Sequence, residues 1–166
     1  MKNIGLIGCG NIAETYFRAQ EYFNNINFVA CADINLDAAK KTADQYNIIP
    51  LSVNEILNDK NVDIILNLTI PQAHYEISKR ALEANKHVYC EKPMSVKFDD
   101  AKELLNLAKK NSLYIGNAPD TFLGGGGQLT RSLIDNNDIG QVLTGNFIFA
   151  FPGVQDFHPS PESWFQ

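Results

Sequence analysis

The stretch Lys2-Asn3-Ile4-Gly5-Leu6-Ile7-Gly8-Cys9-Gly10-Asn11-Ile12-Ala13 runs from an apolar segment into a glycine turn and then into a helical pattern. A β-strand ending in G-x-G-x-x-A turns sharply at its first glycine, Gly8, and lets the backbone come close to a pyrophosphate at its second, Gly10. The small Ala13 allows the following helix to sit tightly against the strand. An anion there would rest on the free N–H groups and positive dipole end of that helix. The stretch thus predicts the first βα unit of a nucleotide-binding sheet.

Beyond the turn, Ile12, Ala13, Tyr16, Phe17 and Ala19 recur at helical spacing, which predicts a helix over 11–22 closed by Asn24-Asn25. Phe28-Val29-Ala30-Cys31-Ala32 is a short apolar strand ending in Asp33. Asp33 follows Ala13 by about 20 residues, the span that carries an acidic side chain to the tip of the second strand of a βαβ unit. A carboxylate there can accept hydrogen bonds from the hydroxyls of an adenosine ribose. It can also serve as a turn residue or helix N-cap, and the two roles are compatible.

The pattern continues with a helix over 36–46 and a capping-box-like Ser52-Val53-Asn54-Glu55 that opens a short helix through Leu57. Val62-Asp63-Ile64-Ile65-Leu66-Asn67-Leu68 is nearly all apolar, as a parallel strand covered on both faces should be, and Thr69-Ile70-Pro71 breaks it. A helix over 72–85, a strand over 87–90, an amphipathic helix over 98–111 and a strand over 113–115 follow. This alternation predicts an α/β fold, a Rossmann-type doubly wound parallel sheet. Gly124-Gly125-Gly126-Gly127 then precedes a helix over 128–136 and reads either as a flexible linker or, given its apolar flanks, as a close backbone approach. Val142-Leu143-Thr144-Gly145-Asn146-Phe147-Ile148-Phe149-Ala150-Phe151 alternates like a strand of an antiparallel sheet, and 152–166 carry no element of their own. The expected organisation is a dinucleotide-binding domain over 1–120. Residues 121–166 would form a connecting helix and the first strand of a truncated antiparallel α+β domain.

Composition limits the partners. With 166 residues, 45% of them hydrophobic, the chain can bury a core, and 14 Lys+Arg against 19 Asp+Glu give a net charge of −5. No basic block tracks a phosphate backbone, which argues against nucleic acid. No apolar run approaches about 18 residues, and the N-terminus reads as a strand rather than a signal peptide, so no membrane partner and a cytoplasmic address are expected. The spacing of Cys9, Cys31 and Cys90 matches neither a zinc site nor a C-x-x-C pair, so no metal is expected. They read as small buried residues of a reducing compartment; alternatively Cys9 and Cys90 line the nucleotide cleft and are open to alkylation.

Taken together, Gly8-Cys9-Gly10-Asn11-Ile12-Ala13, Asp33, Thr69-Ile70-Pro71 with His74, and Cys90-Glu91-Lys92-Pro93 resemble the glucose-fructose oxidoreductase/inositol dehydrogenase (Gfo/Idh/MocA) family. Many nucleotide-binding folds share the glycine motif. An E-K-P tripeptide closing the strand after Ala-Leu-Glu-Ala-Asn-Lys-His-Val is more specific, and Ala118-Pro119-Asp120-Thr121-Phe122-Leu123-Gly124-Gly125-Gly126 resembles a narrower branch of sugar-type dehydrogenases. The resemblance implies NAD as cofactor and a sugar or polyol C–OH as the reacting group. It assigns Gly8, Cys9, Gly10, Asn11 and Ile12 to the pyrophosphate and Asp33 to the adenosine ribose. Thr69, Ile70, Pro71 and His74 would lie along the middle of the cofactor, with Glu91 by the nicotinamide ribose. Lys92 would touch the cofactor and reach the substrate hydroxyl as the catalytic residue.

Oxidising a carbinol while hydride leaves needs a group that stabilises negative charge on oxygen and relays its proton. Partial desolvation beside a cofactor tunes a lysine for that task, and Pro93 restricts the backbone before it to an extended form. Lys92 can also be a solvated loop lysine, and His74, outside any metal spacing, a surface histidine. His87 reads as structural, and His158 could reach the substrate cleft. The Asp33 carboxylate would repel a 2′-phosphate, favouring NAD over NADP.

Family members run to roughly twice this length, as two domains do. The resemblance therefore implies that this chain is the cofactor-binding portion, inactive alone. The alternative is an NAD-binding regulatory or assembly module without catalysis, forming a homo-oligomer through the strand over 142–151.

Overall fold

In the first strand Ile4 and Leu6 pack on one face of the sheet and Ile7 on the other, and in the fourth Leu66 and Ile65 divide the same way. Side chains with a period of two that are buried on both sides require cover on both sides. The computed structural model, which describes residues 1–150, supplies that cover. Its strands are β1 (Lys2–Ile7), β2 (Ile26–Ala32), β3 (Ile49–Leu51), β4 (Ile64–Asn67), β5 (His87–Cys90) and β6 (Ile115–Asn117). They form one parallel sheet in the order β3-β2-β1-β4-β5-β6. The order reverses between β1 and β4, and ligands of such sheets bind outside the C-terminal strand ends at that switch point.

Helices α1 (Ala13–Ala19) and α2 (Leu36–Tyr46) bring Ala13, Phe17 and Ala43 onto one face. There the Phe17 ring stacks on Tyr46 at 3.9 Å and lies 4.7 Å from Phe28. The other face is covered by α3 (Val53–Asn58), α4 (Pro71–Glu83) and α5 (Phe98–Lys110) through Ile56, Ile77, Leu82 and Leu104. The Ser52 and Glu55 capping box opens α3: each side chain bonds the other's backbone N–H, at 3.2 and 2.8 Å. At the turn from α3 to β4, the buried Lys86 ammonium donates to the Asp59 and Val62 carbonyls at 2.6 and 2.7 Å, and burial holds its pKa below the ordinary lysine value.

Some boundaries differ from expectation for local reasons. The helix expected over 11–22 is α1 followed by a 3₁₀ turn, Gln20–Tyr22. The last strand starts at Ile115 rather than 113, because Ser112 takes a φ of +56° and the Leu113 N–H donates back to Ala108, closing α5. Strand β3 gave no signal; it is three residues long, at the sheet edge, with a proline in its centre.

From Phe122 onward the chain forms a separate unit. Its helix α6 (Gly125–Asp135) begins inside the glycine run rather than at Gln128. A β-carbon on Gly127 would run into the Phe122 carbonyl, a close approach, whereas one on Gly125 or Gly126 would meet nothing. In the described part of the strand expected over 142–151, residues 142–150 take neither strand nor helix, and no start of an antiparallel domain is visible among the described residues. Its alternation does bring the Phe147 and Phe149 rings within 6.5 Å. Without a neighbouring strand, however, an extended segment has no ladder to offset the entropy of ordering it. Phe151, the segment over 152–166 and His158 lie outside the described residues. Among those described, no helix is long and apolar enough to cross a membrane.

Candidate cofactor site

Gly8 closes β1 with a φ of +103°, and a β-carbon there would lie 2.6 Å from the Leu68 carbonyl carbon and oxygen and 2.8 Å from the Thr69 nitrogen. Only glycine lets the end of β1 press against the end of β4. Gly10 is the opposite case: a β-carbon would meet nothing within 4 Å, so the turn is open above it, with Asn11 and Ile12 also exposed. Ala13 is buried beneath them. The Asp33 carboxylate at the tip of β2 accepts the Cys9 N–H at 2.7 Å and the Asn35 N–H at 2.8 Å. Asp33 is thus a turn residue rather than the N-cap of α2; that cap is Asn35. The carboxylate is tied to the glycine turn itself, and a lone pair remains on each oxygen for a hydroxyl donor.

The next strand end is organised by Asn67, the polar residue in an otherwise apolar strand. Its buried amide donates to the His74 carbonyl and the Ser78 hydroxyl, both at 3.0 Å, and its oxygen accepts the Thr69 hydroxyl at 2.7 Å. Ile70 is exposed, and Pro71 occupies the first turn of α4, where a missing N–H costs nothing. His74 is no surface histidine: it is 1% exposed. Its ring lies beneath the loops rather than in the cleft, with Nδ1 2.5 Å from the Pro93 carbonyl oxygen and Nε2 2.9 Å from that of Thr69. His74 therefore braces the loops after β4 and β5 against one another.

Glu91, at the end of β5, is held at four points. Its N–H donates to the Asn67 carbonyl at 2.9 Å, and its own carbonyl accepts the Asn117 amide at 3.0 Å. One carboxylate oxygen accepts the Tyr16 hydroxyl at 2.7 Å and the other the Lys92 N–H at 3.0 Å. Burial first, and then the bond to Glu91, raise the Tyr16 pKa. Lys92 itself is exposed. The described residues leave it in water, so the desolvation expected of a catalytic lysine is not supplied by them.

Cys90 does not line the cleft. It is fully buried among α4 and α5 side chains, and desolvation pushes its thiol pKa up to about 12. Cys9 is half-buried at the turn, its thiol donating to the Ala32 carbonyl at 3.6 Å, and the buried Cys31 thiol donates to the Ala39 carbonyl at 3.3 Å; the influence of the two free thiols on one another holds the Cys9 pKa below the ordinary value and the Cys31 pKa above it. His87, at the start of β5, accepts the Tyr114 N–H at 3.1 Å, a structural role.

The strands carry the glycine turn, Asp33, Thr69-Ile70-Pro71 and Glu91-Lys92 along one edge of the sheet, around the switch point. Sequence reading missed Tyr16, Asn67 and Asn117, the side chains that hold this edge together. Asn67 had a signal, as a polar residue in an apolar strand, whereas Tyr16 passed for one more apolar helix position.

Residues 2–117 match the family model described as an oxidoreductase family with an NAD-binding Rossmann fold, GFO_IDH_MocA. The chain belongs to the Gfo/Idh/MocA oxidoreductase family. Within it, the chain is 31% identical over 146 residues to an inositol 2-dehydrogenase of Salmonella paratyphi B, a match covering 84% of this chain and 43% of that protein. An NAD binding oxidoreductase from Klebsiella pneumoniae superimposes with a TM-score of 0.76 at 29% identity, over 84% of this chain and 40% of the other. Biliverdin reductase from Synechocystis, in complex with biliverdin and NADP+, does so with a TM-score of 0.70 at 27% identity, over 80% and 42%. This Gfo/Idh/MocA chain thus spans under half the length of the relatives it matches. The open turn at Gly10 and the anchored acceptor Asp33 suit the dinucleotide that the family's Rossmann fold binds.

Proposed function

We propose that the chain binds NAD and is the cofactor-binding portion of a dehydrogenase acting on a sugar or polyol C–OH. The observation carrying this reading is the Asp33 carboxylate, fixed by the Cys9 and Asn35 N–H groups beside an open glycine turn. Gly10, Asn11 and Ile12, exposed at the open turn, would receive the pyrophosphate; Gly8 and Cys9, whose N–H groups are bonded to Ala32 and Asp33, would shape the turn beneath it, and Asp33 would meet the adenosine ribose. Because the sheet order runs from β2 through β1 and β4 to β5, a dinucleotide with its adenosine at Asp33 passes Thr69, Ile70 and Pro71 and ends with its second ribose at Glu91. His74 supports this path from below. When bound, the nicotinamide supplies the hydride acceptor. Lys92 would hold the substrate hydroxyl and take part in moving its proton. The polyol class is supported by the inositol 2-dehydrogenase relative. The domain reading, 1–120 for the cofactor and 121–166 leading into a substrate domain, and a cytoplasmic setting suited to three free cysteines belong to this proposal.

Calorimetric titration with NADH and NADPH tests it. A negative charge at Asp33 should make NADH bind about ten-fold more tightly or better, and Asp33→Asn should shrink that preference. Equal or tighter binding of NADPH by the unaltered chain would overturn the NAD assignment. Turnover of inositol by the chain alone should be undetectable, because Lys92 stands in water; robust turnover would overturn the restriction to cofactor binding.

A further inference from the structure

Tyr16 stands on α1, one turn beyond the glycine motif, and its hydroxyl reaches across to a carboxylate 75 residues away, donating to Glu91 Oε1 at 2.7 Å. Its ring is half-buried and meets Tyr89 edge-on, with centroids 6.4 Å apart and an interplanar angle of 62°. A phenylalanine would make the same ring contacts, so packing does not call for the hydroxyl. The Glu91 backbone is already fixed by Asn67 and Asn117. What remains free to rotate is its carboxylate, and Tyr16 together with the Lys92 N–H sets that rotation. Each oxygen then keeps a lone pair that can accept from a neighbouring hydroxyl.

We propose that Tyr16 is a positioning residue that presets the Glu91 carboxylate for the hydroxyls of the nicotinamide ribose. This rests on the reading of the chain as an NAD-binding portion with Glu91 at the second ribose. It adds a specificity role for the residue that ties the helix of the pyrophosphate turn to the loop after β5. The helix that follows the pyrophosphate turn thereby also aligns the acceptor for the nicotinamide ribose.

The test compares NADH with ADP, which carries the pyrophosphate and adenosine ribose but stops short of the second ribose. Tyr16→Phe should weaken NADH binding about ten-fold, the scale of one hydrogen bond to a charged group, while ADP affinity and the thermal midpoint hold. In a Glu91→Ala background the same change should have no further effect on NADH. Equal losses for NADH and ADP would mark Tyr16 as merely structural, and an unchanged NADH affinity would remove its role altogether; either overturns the proposal. Wild-type chain that bound ADP but gained nothing from the nicotinamide riboside half would overturn it as well. Binding of neither ligand would fell the NAD reading and the proposal with it.

Discussion

A methyl group at position 8 would have to share space with the Leu68 carbonyl, on a backbone whose φ of +103° already excludes ordinary side chains. Gly8→Ala should therefore destabilise the chain by about 3 kcal/mol, combining the left-handed backbone with the clash, read as a lower denaturant midpoint at unchanged slope. Gly8 was legible in the sequence because a sharp turn at a strand end admits one residue type, and the place of Asp33 because a βαβ unit of set length carries an acidic residue to the tip of its second strand. Tyr16, Asn67 and Asn117 were not. Their roles depend on partners brought close by the sheet, such as Glu91 for Tyr16, and no local pattern distinguishes a tyrosine that packs from one that also donates.

The helices announced themselves where their ends carry chemistry. The Ser52 and Glu55 box could be read directly, whereas Pro71 read only as the break before a helix at 72 although it is the first residue of α4, and β3, short and broken by Pro50, gave no signal. Helix α4 also carries the brace between two loops. His74→Ala would remove a buried ring and leave the Thr69 and Pro93 carbonyls without it, at a cost of about 2–4 kcal/mol. The effect should be local as well as global: hydrogen exchange of the Thr69 and Lys92 amides should speed up more than that of Leu6 or Leu66 in the sheet centre. Uniform acceleration across all four would show that His74 is an ordinary core residue.

The doubly wound class of the sheet was legible because the strand and helix periods alternate so regularly. Residues 142–150 alternate as a strand does yet form none, because alternation describes a strand only if another strand lies beside it. Charge placement separates stability from the site. At the edge opposite the cleft, Asp63 accepts the Asn3 N–H at 2.8 Å and pairs with Lys2 at 3.0 Å, and these hold its pKa below the ordinary aspartate value of 3.8. A carboxyl lowered on folding contributes its stability above the unfolded-state value and loses it as pH falls through the folded one. The chain should thus lose stability on acidification below about pH 4 more steeply than an Asp63→Asn variant, measured as denaturant midpoint against pH. Parallel curves would show that Asp63 contributes nothing to the acid limb.

In the proposed function one edge of this sheet holds a dinucleotide from Asp33 to Glu91. Two-dimensional amide NMR of the chain titrated with NADH tests that most directly. Saturable shifts are expected at Gly8 to Ile12, Asp33, Thr69, Glu91 and Lys92, with Asn3 and Asp63 at the far edge unmoved. Shifts that avoid the glycine turn and Asp33, or no shifts at all at saturating NADH, would contradict it.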